Sequence, residues 1–299
     1  MSLSIQEVSK RFGTKTVVDR LSLSVGRGQM FGLLGANGAG KTTTFRMILG
    51  LMKPSEGSIR WSGKTLDYSN CDVVGYLPEE RGLYPKLTAE KQIVLLGRLR
   101  GMKRRDVLQE MHKWLEYFGI PEYANKKIEE LSKGNQQKIQ FIAAVIHRPE
   151  LIILDEPFSG LDPVNVEILK QAVLQLKEKG ATILFSSHRM EHVEELCEKL
   201  CILDHGRPVV LGELQKIKRQ YRKKHVVIEA DFDLGFLQGI PGVIRLKQRT
   251  SGARIQVEDE AVAKRLFHEV AKKGFVRKFV VEEPTLNDIF IEKVGNKDA

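Results

Sequence analysis

The stretch MFGLLGANGAGKTTTF, Met30 to Phe45, decides how the rest of the chain is read. MFGLLG is a continuous apolar run of strand length. After it, TTTFRMILG sets Phe45, Ile48 and Leu49 on one helical face until Gly50 stops the helix. Between the two lies GANGAGKT, Gly35 to Thr42, a full match to the phosphate-loop pattern GxxxxGK[ST]. Its glycines let backbone amides curl around phosphates where a Cβ would clash or forbid the dihedrals. Lys41 supplies a point charge for the β- and γ-phosphates, and the Thr42 hydroxyl can ligate Mg²⁺. The nucleotide contacts expected here are Gly35, Ala36, Asn37, Gly38, Ala39, Gly40, Lys41, Thr42 and Thr43.

A partner for that loop stands further along, in LIILDEP, Leu151 to Pro157. A buried strand delivers Asp155 at its C-terminal end, the edge where open α/β sheets place ligands. Asp155 suits a Mg²⁺ shell, because Mg²⁺ takes one or two carboxylates plus phosphate oxygens. Glu156 beside it can polarise an attacking water as a general base. ATILFSSH then puts His188 just after the next strand, near the same sheet edge, where it can reach a γ-phosphate. HRMEH, His188 to His192, also fits the inverted zinc-peptidase pattern H-x-x-E-H. That reading needs both histidines on one helix, whereas ILFSS runs as strand directly into His188.

Working outward, the α/β character is general. LIILD, PVNVEILKQAVLQLKEKG, ATILFSS, RMEHVEELCEK and LCILDHG alternate strand and helix. Strands this apolar are buried on both faces, in a parallel sheet covered by helices. LSIQEVSKRF and TVVDRLSLSV alternate as antiparallel strands do, and GSIRW and VVGYL read as further strands. From about Thr88 to Arg148 the pattern is helical throughout, an insertion into the core. A boundary is expected at residues 222/223, with an ATPase-like domain over 1–222 and a small α+β domain over 223–299. In the latter, EDEAVAKRLFHEVAKKG is an amphipathic helix and PTLNDIFIEKV a short one capped by Thr285 and Asp288.

The 299 residues are 42% hydrophobic and 29% charged, an ordinary globular composition. No apolar run approaches the roughly 18 residues of a membrane span, so the expectation is a soluble cytosolic protein or one bound to a membrane through something else. Cys71, Cys197 and Cys201 form no disulfide framework and read as small buried hydrophobes. The net charge of +10 is concentrated in RLRGMKRRD (Arg98 to Asp106) and KIKRQYRKKH (Lys216 to His225). Neither cluster interleaves aromatics for base stacking, so no specific nucleic-acid partner is expected.

ELSKGNQQKIQ, Glu130 to Gln140, begins a second helix with a glycine and amides at its start, the kind of helix start that binds phosphate. Together with the motifs above, LSKGNQQ resembles the signature of ATP-binding cassette (ABC) ATPases, usually LSGGQ. The order of motifs matches that family from Phe12 to His188, and SGLDP (Ser159 to Pro163) resembles its D-loop. The resemblance implies a P-loop NTPase core of ABC type with antiparallel β and helical subdomains, using ATP and Mg²⁺. It further implies that two cassettes pair head to tail, as a homodimer or with another ABC ATPase. Ser132, Lys133, Gly134, Asn135 and Gln136 would then contact the partner's ATP, with Asp162 in the D-loop. Phe12 corresponds to the adenine-stacking aromatic, Glu156 and His188 to the catalytic pair, and Glu79 to the Q-loop position beside the metal.

Two departures stand out. Lys133 and Asn135 replace the usual glycine and glutamine, and Glu79 replaces a glutamine with a carboxylate that cannot donate a hydrogen bond. The PTLNDIFI ending resembles the tail of ATPase subunits of sodium- and drug-efflux transporters. The implied role is ATP hydrolysis at the cytoplasmic face of the cell membrane, held there by a membrane-spanning permease subunit. A soluble ABC ATPase of translation, repair or regulation is the alternative.

Overall fold

The computed structural model describes residues 3–67, 72–80, 82–221 and 223–295. Cys71 lies outside the described residues. The chain divides into two compact units, the first ending at Leu211 and the second beginning at Gly212.

The first unit contains two sheets. β1 (Leu3–Phe12), β2 (Lys15–Val25), β4 (Glu56–Trp61) and β5 (Lys64–Thr65) form one in the order β2-β1-β4-β5. β1 is antiparallel to both β2 and β4, as the alternating sequences require. The other sheet contains β3 (Met30–Gly35), β6 (Val74–Leu77), β7 (Leu151–Asp155), β8 (Thr182–Ser186), β9 (Lys199–Asp204) and β10 (Arg207–Glu213). Its order is β10-β9-β3-β8-β7-β6, and β6, β7, β8, β3 and β9 run parallel. Every residue of β3, β7 and β8 is buried, which accounts for their unbroken apolar sequences. Between β9 and β10 the two turn residues His205 and Gly206 both have positive φ, 46° and 80°, the geometry of a tight hairpin turn.

Helix α1 (Lys41–Ile48) follows β3 directly. The helical insertion consists of α2 (Ala89–Leu99), α3 (Arg104–Tyr117) and α4 (Lys133–Val145), within the span expected. α4 begins two residues earlier than the hydrophobic pattern indicates, because Ser132 caps it by accepting from the Asn135 N–H. After β7 comes α5 (Pro163–Glu178), capped by Asp162 through bonds from Val164 N and Asn165 N at 3.0 Å, and α6 (Met190–Leu196) follows β8. Cys197 and Cys201 are buried thiols whose pKa burial raises, that of Cys201 to about 12.

The expected boundary at 222/223 falls late. The second unit opens on α7 (Leu214–Gln220), whose Leu214 and Ile217 are buried, so the first part of the basic run sits on a helix. β11 (Lys224–Ala230), β12 (Val243–Arg249), β13 (Gly252–Val257) and β14 (Val276–Glu282) form an antiparallel sheet ordered β12-β13-β11-β14. One face packs on α8 (Glu260–Lys273) through Val262, Ala263, Leu266 and Val270. α9 (Leu286–Val294) starts with a reciprocal capping box between Thr285 and Asp288.

Candidate nucleotide site

Three strand ends meet at one edge of the parallel sheet, where β3, β7 and β8 deliver the phosphate loop, Asp155–Glu156 and Ser187–His188. They surround a cavity of 610 Å³ lined by Val17, Asn37, Gly38, Gly40, Lys41, Thr42, Thr43, Glu79, Asp155, Glu156 and His188. Ten of the sequence-expected residues thus reach one space, although they come from four separate segments. The loop needs its glycines. Gly40 caps α1 with φ 102°, and a Cβ there would stand 2.8 Å from the Val17 carbonyl oxygen. Gly38 has φ 82° with nothing within 4 Å of its Cβ position, so its backbone faces open space where a ligand can approach.

Lys41 is 8% exposed, and its Nζ donates to Gly35 O at 2.7 Å and Ala36 O at 3.2 Å. Gly35, Ala36 and Ala39 thus shape the loop instead of lining the cavity. A continuous hydrogen-bonded chain runs through the other groups. Thr42 Oγ1 donates to Asp155 Oδ2 at 3.3 Å, and Ser186 Oγ donates to Asp155 Oδ1 at 2.6 Å. Ser186 Oγ also accepts from the Glu156 N–H at 3.1 Å, and His188 Nδ1 lies 2.8 Å from Glu156 Oε2. Glu156 has φ 50°, a left-handed conformation uncommon for a non-glycine residue. Such backbone strain costs on the order of 1–3 kcal/mol and persists where the surroundings over-determine it. Here Ser186 and His188 hold the residue from both sides.

Asp155, Glu156 and Glu79 line the cavity together with Lys41. Burial, then Asp155, push the Tyr76 phenol up to about 12; Glu79 adds to the rise, and Arg46 opposes it. Hard oxygens from Thr42, Asp155 and Glu79 face this space, and that donor set fits Mg²⁺. Among the described residues no group of three or more His, Cys, Asp or Glu could hold a metal by itself. A cation here would complete its shell with phosphate oxygens.

Other residues stand apart. Phe12 is outside the cavity lining, at the end of β1, 48% exposed and with Lys10 Nζ 5.3 Å from its ring centroid. Ser132 and Lys133 are exposed at the start of α4, and Gly134, Asn135 and Gln136 are half-buried; none lines the cavity of their own chain. A Cβ on Gly134 would stand 3.1 Å from Asn165 Nδ2, and Asn165 in turn bonds Asp162, so the starts of α4 and α5 touch. The two histidines of HRMEH do not share a helix. His188 precedes α6, while His192 lies within it, buried edge-on against Phe158 at 4.9 Å. Sequence reasoning missed Ser186, which joins Asp155 to Glu156. Its signal was the SS pair before the histidine in ILFSSH.

This cavity, with its loop between a buried strand and a helix, defines a P-loop nucleotide-hydrolysing fold. Residues 18–159 match the family model described as ABC transporter, and residues 212–294 match one described as ATP-binding protein DrrA1-3-like, C-terminal domain. The second match starts where the second compact unit starts. The chain is 60% identical to the uncharacterised ABC transporter ATP-binding protein YhaQ of Bacillus subtilis, over 98% of each chain. It is 37% identical to the Nod factor export ATP-binding protein I of Ralstonia nicotianae, over 71% of this chain and 67% of that protein. A solved structure of the ATP-binding subunit of an ABC transporter superposes with a TM-score of 0.69 at 33% identity, covering 74% of this chain and 93% of that one. The chain belongs to the ABC transporter ATP-binding subunits, whose general activity is ATP hydrolysis.

Proposed function

We propose that this chain powers an exporter of the sodium- or drug-efflux type, working as a head-to-tail pair around two ATP. The observation that carries the reading is the chain of hydrogen bonds from Thr42 through Asp155 and Ser186 to Glu156 and His188 along the wall of the cavity. It fixes a carboxylate on a strained backbone beside the phosphate loop, as a general base for water requires. The loop amides and Lys41 bind the β- and γ-phosphates. Thr42, Asp155 and Glu79 would hold Mg²⁺, which when bound neutralises phosphate charge. Glu156 takes the proton of the attacking water, and His188 orients Glu156 while reaching toward the γ-phosphate.

Ser132, Lys133 and Gly134 act on the ATP of a second chain, with Asn135 and Gln136 completing that helix start and Asp162 setting the start of α5 beside it. Support comes from their exposure away from their own cavity and from the absence of any acidic residue in the first turn of α4. An uncompensated helix N-terminus favours an anion. Phe12 offers a half-free aromatic face for the adenine.

The exporter reading draws on the Nod factor export relative and on the PTLNDIFI ending. No helix among the described residues is long and apolar enough to cross a membrane. A membrane-spanning permease partner would place this subunit at the cytoplasmic face. Exposed Tyr84, Leu95 and Leu99, at 58%, 40% and 71%, form an apolar margin on and before α2 that suits such a partner. Copurification with a multi-span membrane protein, lost in the Leu99→Glu variant, is the expected result. Recovery with ribosomes or DNA and no membrane protein contradicts the exporter reading.

A further inference from the structure

Helix α4 begins with the signature residues, yet most of its buried polar side chains point toward other loops. Gln137 Nε2 donates to Pro157 O at 2.9 Å, just past Glu156. Gln140 Nε2 donates to both Pro78 O and Glu80 O, each at 3.3 Å, so it grips the main chain on either side of Glu79. Gln140 is 4% exposed, and its Oε1 is buried without a partner. As a stabilising device this is poor. One N–H₂ group makes two long bonds, and a buried amide oxygen is left unsatisfied. A leucine or methionine would fill the same space without that penalty. What the amide adds is a hold on the two peptide groups that flank one carboxylate of the nucleotide cavity.

The remainder of α4 follows the same segment. Near its C-terminus, Ala144 O would lie 2.4 Å from a Cβ on Gly75 of β6, so helix and strand approach at backbone distance. His147, just beyond α4, donates from Nε2 to Val74 O at 3.2 Å. α4 is thus fixed along β6 at Val74 and Gly75, and Gln140 continues that line onto the loop carrying Glu79.

We propose that Gln140 is a positioning residue for Glu79. Through the Pro78 and Glu80 carbonyls it sets where the Glu79 carboxylate stands in the nucleotide cavity, and it ties that position to the helix that begins with Ser132. The inference rests on the reading above that Glu79 faces the metal–phosphate group. Displacement of α4 when a second chain docks on its N-terminus would then be felt at Glu79 of the same chain.

The test is a double-mutant cycle read by calorimetry. ATP affinity is measured with Mg²⁺ and with EDTA for wild type, Gln140→Met, Glu79→Ala and the double variant, using full-length protein. Gln140→Met is expected to weaken MgATP binding about tenfold, as loss of a group that orients a metal ligand does. ATP binding in EDTA and the unfolding midpoint of the nucleotide-free protein are expected to stay at wild-type values. In the Glu79→Ala background the Gln140→Met change should add nothing. If Glu79→Ala weakens MgATP binding and Gln140→Met adds its full loss on top, the positioning role is overturned while the Glu79 reading survives. Equal weakening of Gln140→Met in EDTA also overturns it, reducing Gln140 to a packing residue. If Glu79→Ala binds MgATP like wild type, the Glu79 reading fails and the inference fails with it. Gln140→Leu serves as the second variant should Gln140→Met not fold.

Discussion

The chain contains two helix starts with similar backbone chemistry and different surroundings. α1 and α4 both lack an acidic residue in the first turn, so both leave their positive ends uncompensated. Around α1 stand the groups proposed for hydrolysis, with a buried lysine folded on the loop and Asp155, Glu156 and His188 within one cavity. α4 presents Ser132 and Lys133 to solvent, outside the lining of their own chain's nucleotide cavity. On the proposed reading, the first is a site that a second chain closes, and the second is the group that closes it. That complementarity is the physical case for dimerisation as part of the chemistry.

The comparison can be broken first at α1. Lys41→Ala removes the cavity's buried cation and its bonds to Gly35 O and Ala36 O, and is expected to abolish nucleotide binding; calorimetry giving unchanged affinity would refute the assignment. Glu156→Gln keeps the shape and the hydrogen bond to His188 while losing the base. Its hydrolysis rate should fall by about 10²–10⁴-fold with ATP affinity retained. At α4, Gly134→Asp introduces a negative charge at the helix start and crowds Asn165. Single chains should bind ATP as before, while hydrolysis drops about 10²-fold for loss of the partner contact. Equal loss of ATP affinity would mean that α4 serves its own chain.

The smallest effect concerns the C-terminal end of α4. Burial, then Arg100, push the His147 pKa from 6.5 down to about 4, and its Nδ1 is buried without a partner. A depressed folded pKa means the unfolded chain takes the proton first as pH falls. The stability His147 contributes is therefore complete above 6.5 and is lost on acidification toward 4. The loss is on the order of 3 kcal/mol at most. Denaturant titrations at pH 7.5 and 5 should show wild type losing more stability than His147→Gln. Equal losses remove His147 from the account.

Much of this was legible locally. GANGAGKT, LIILDEP and the helical insertion each announce themselves by strand, turn and helix patterns within a few residues. What the sequence could not show were contacts across long separations. Thr42 and Asp155 meet 113 residues apart, and Gln140 reaches Pro78 from 62 residues away, with no periodicity to mark it. The buried residues Leu214 and Ile217 of α7 were not legible among the basic residues around them.

The central claim is that α4 completes the ATP site of another chain. Light scattering of Glu156→Gln tests it most directly. Without nucleotide the protein should have the mass of one chain, 33.9 kDa. With ATP and Mg²⁺ it should double, and adding Gly134→Asp should return it to a single chain. A single-chain mass with ATP bound would contradict the shared site.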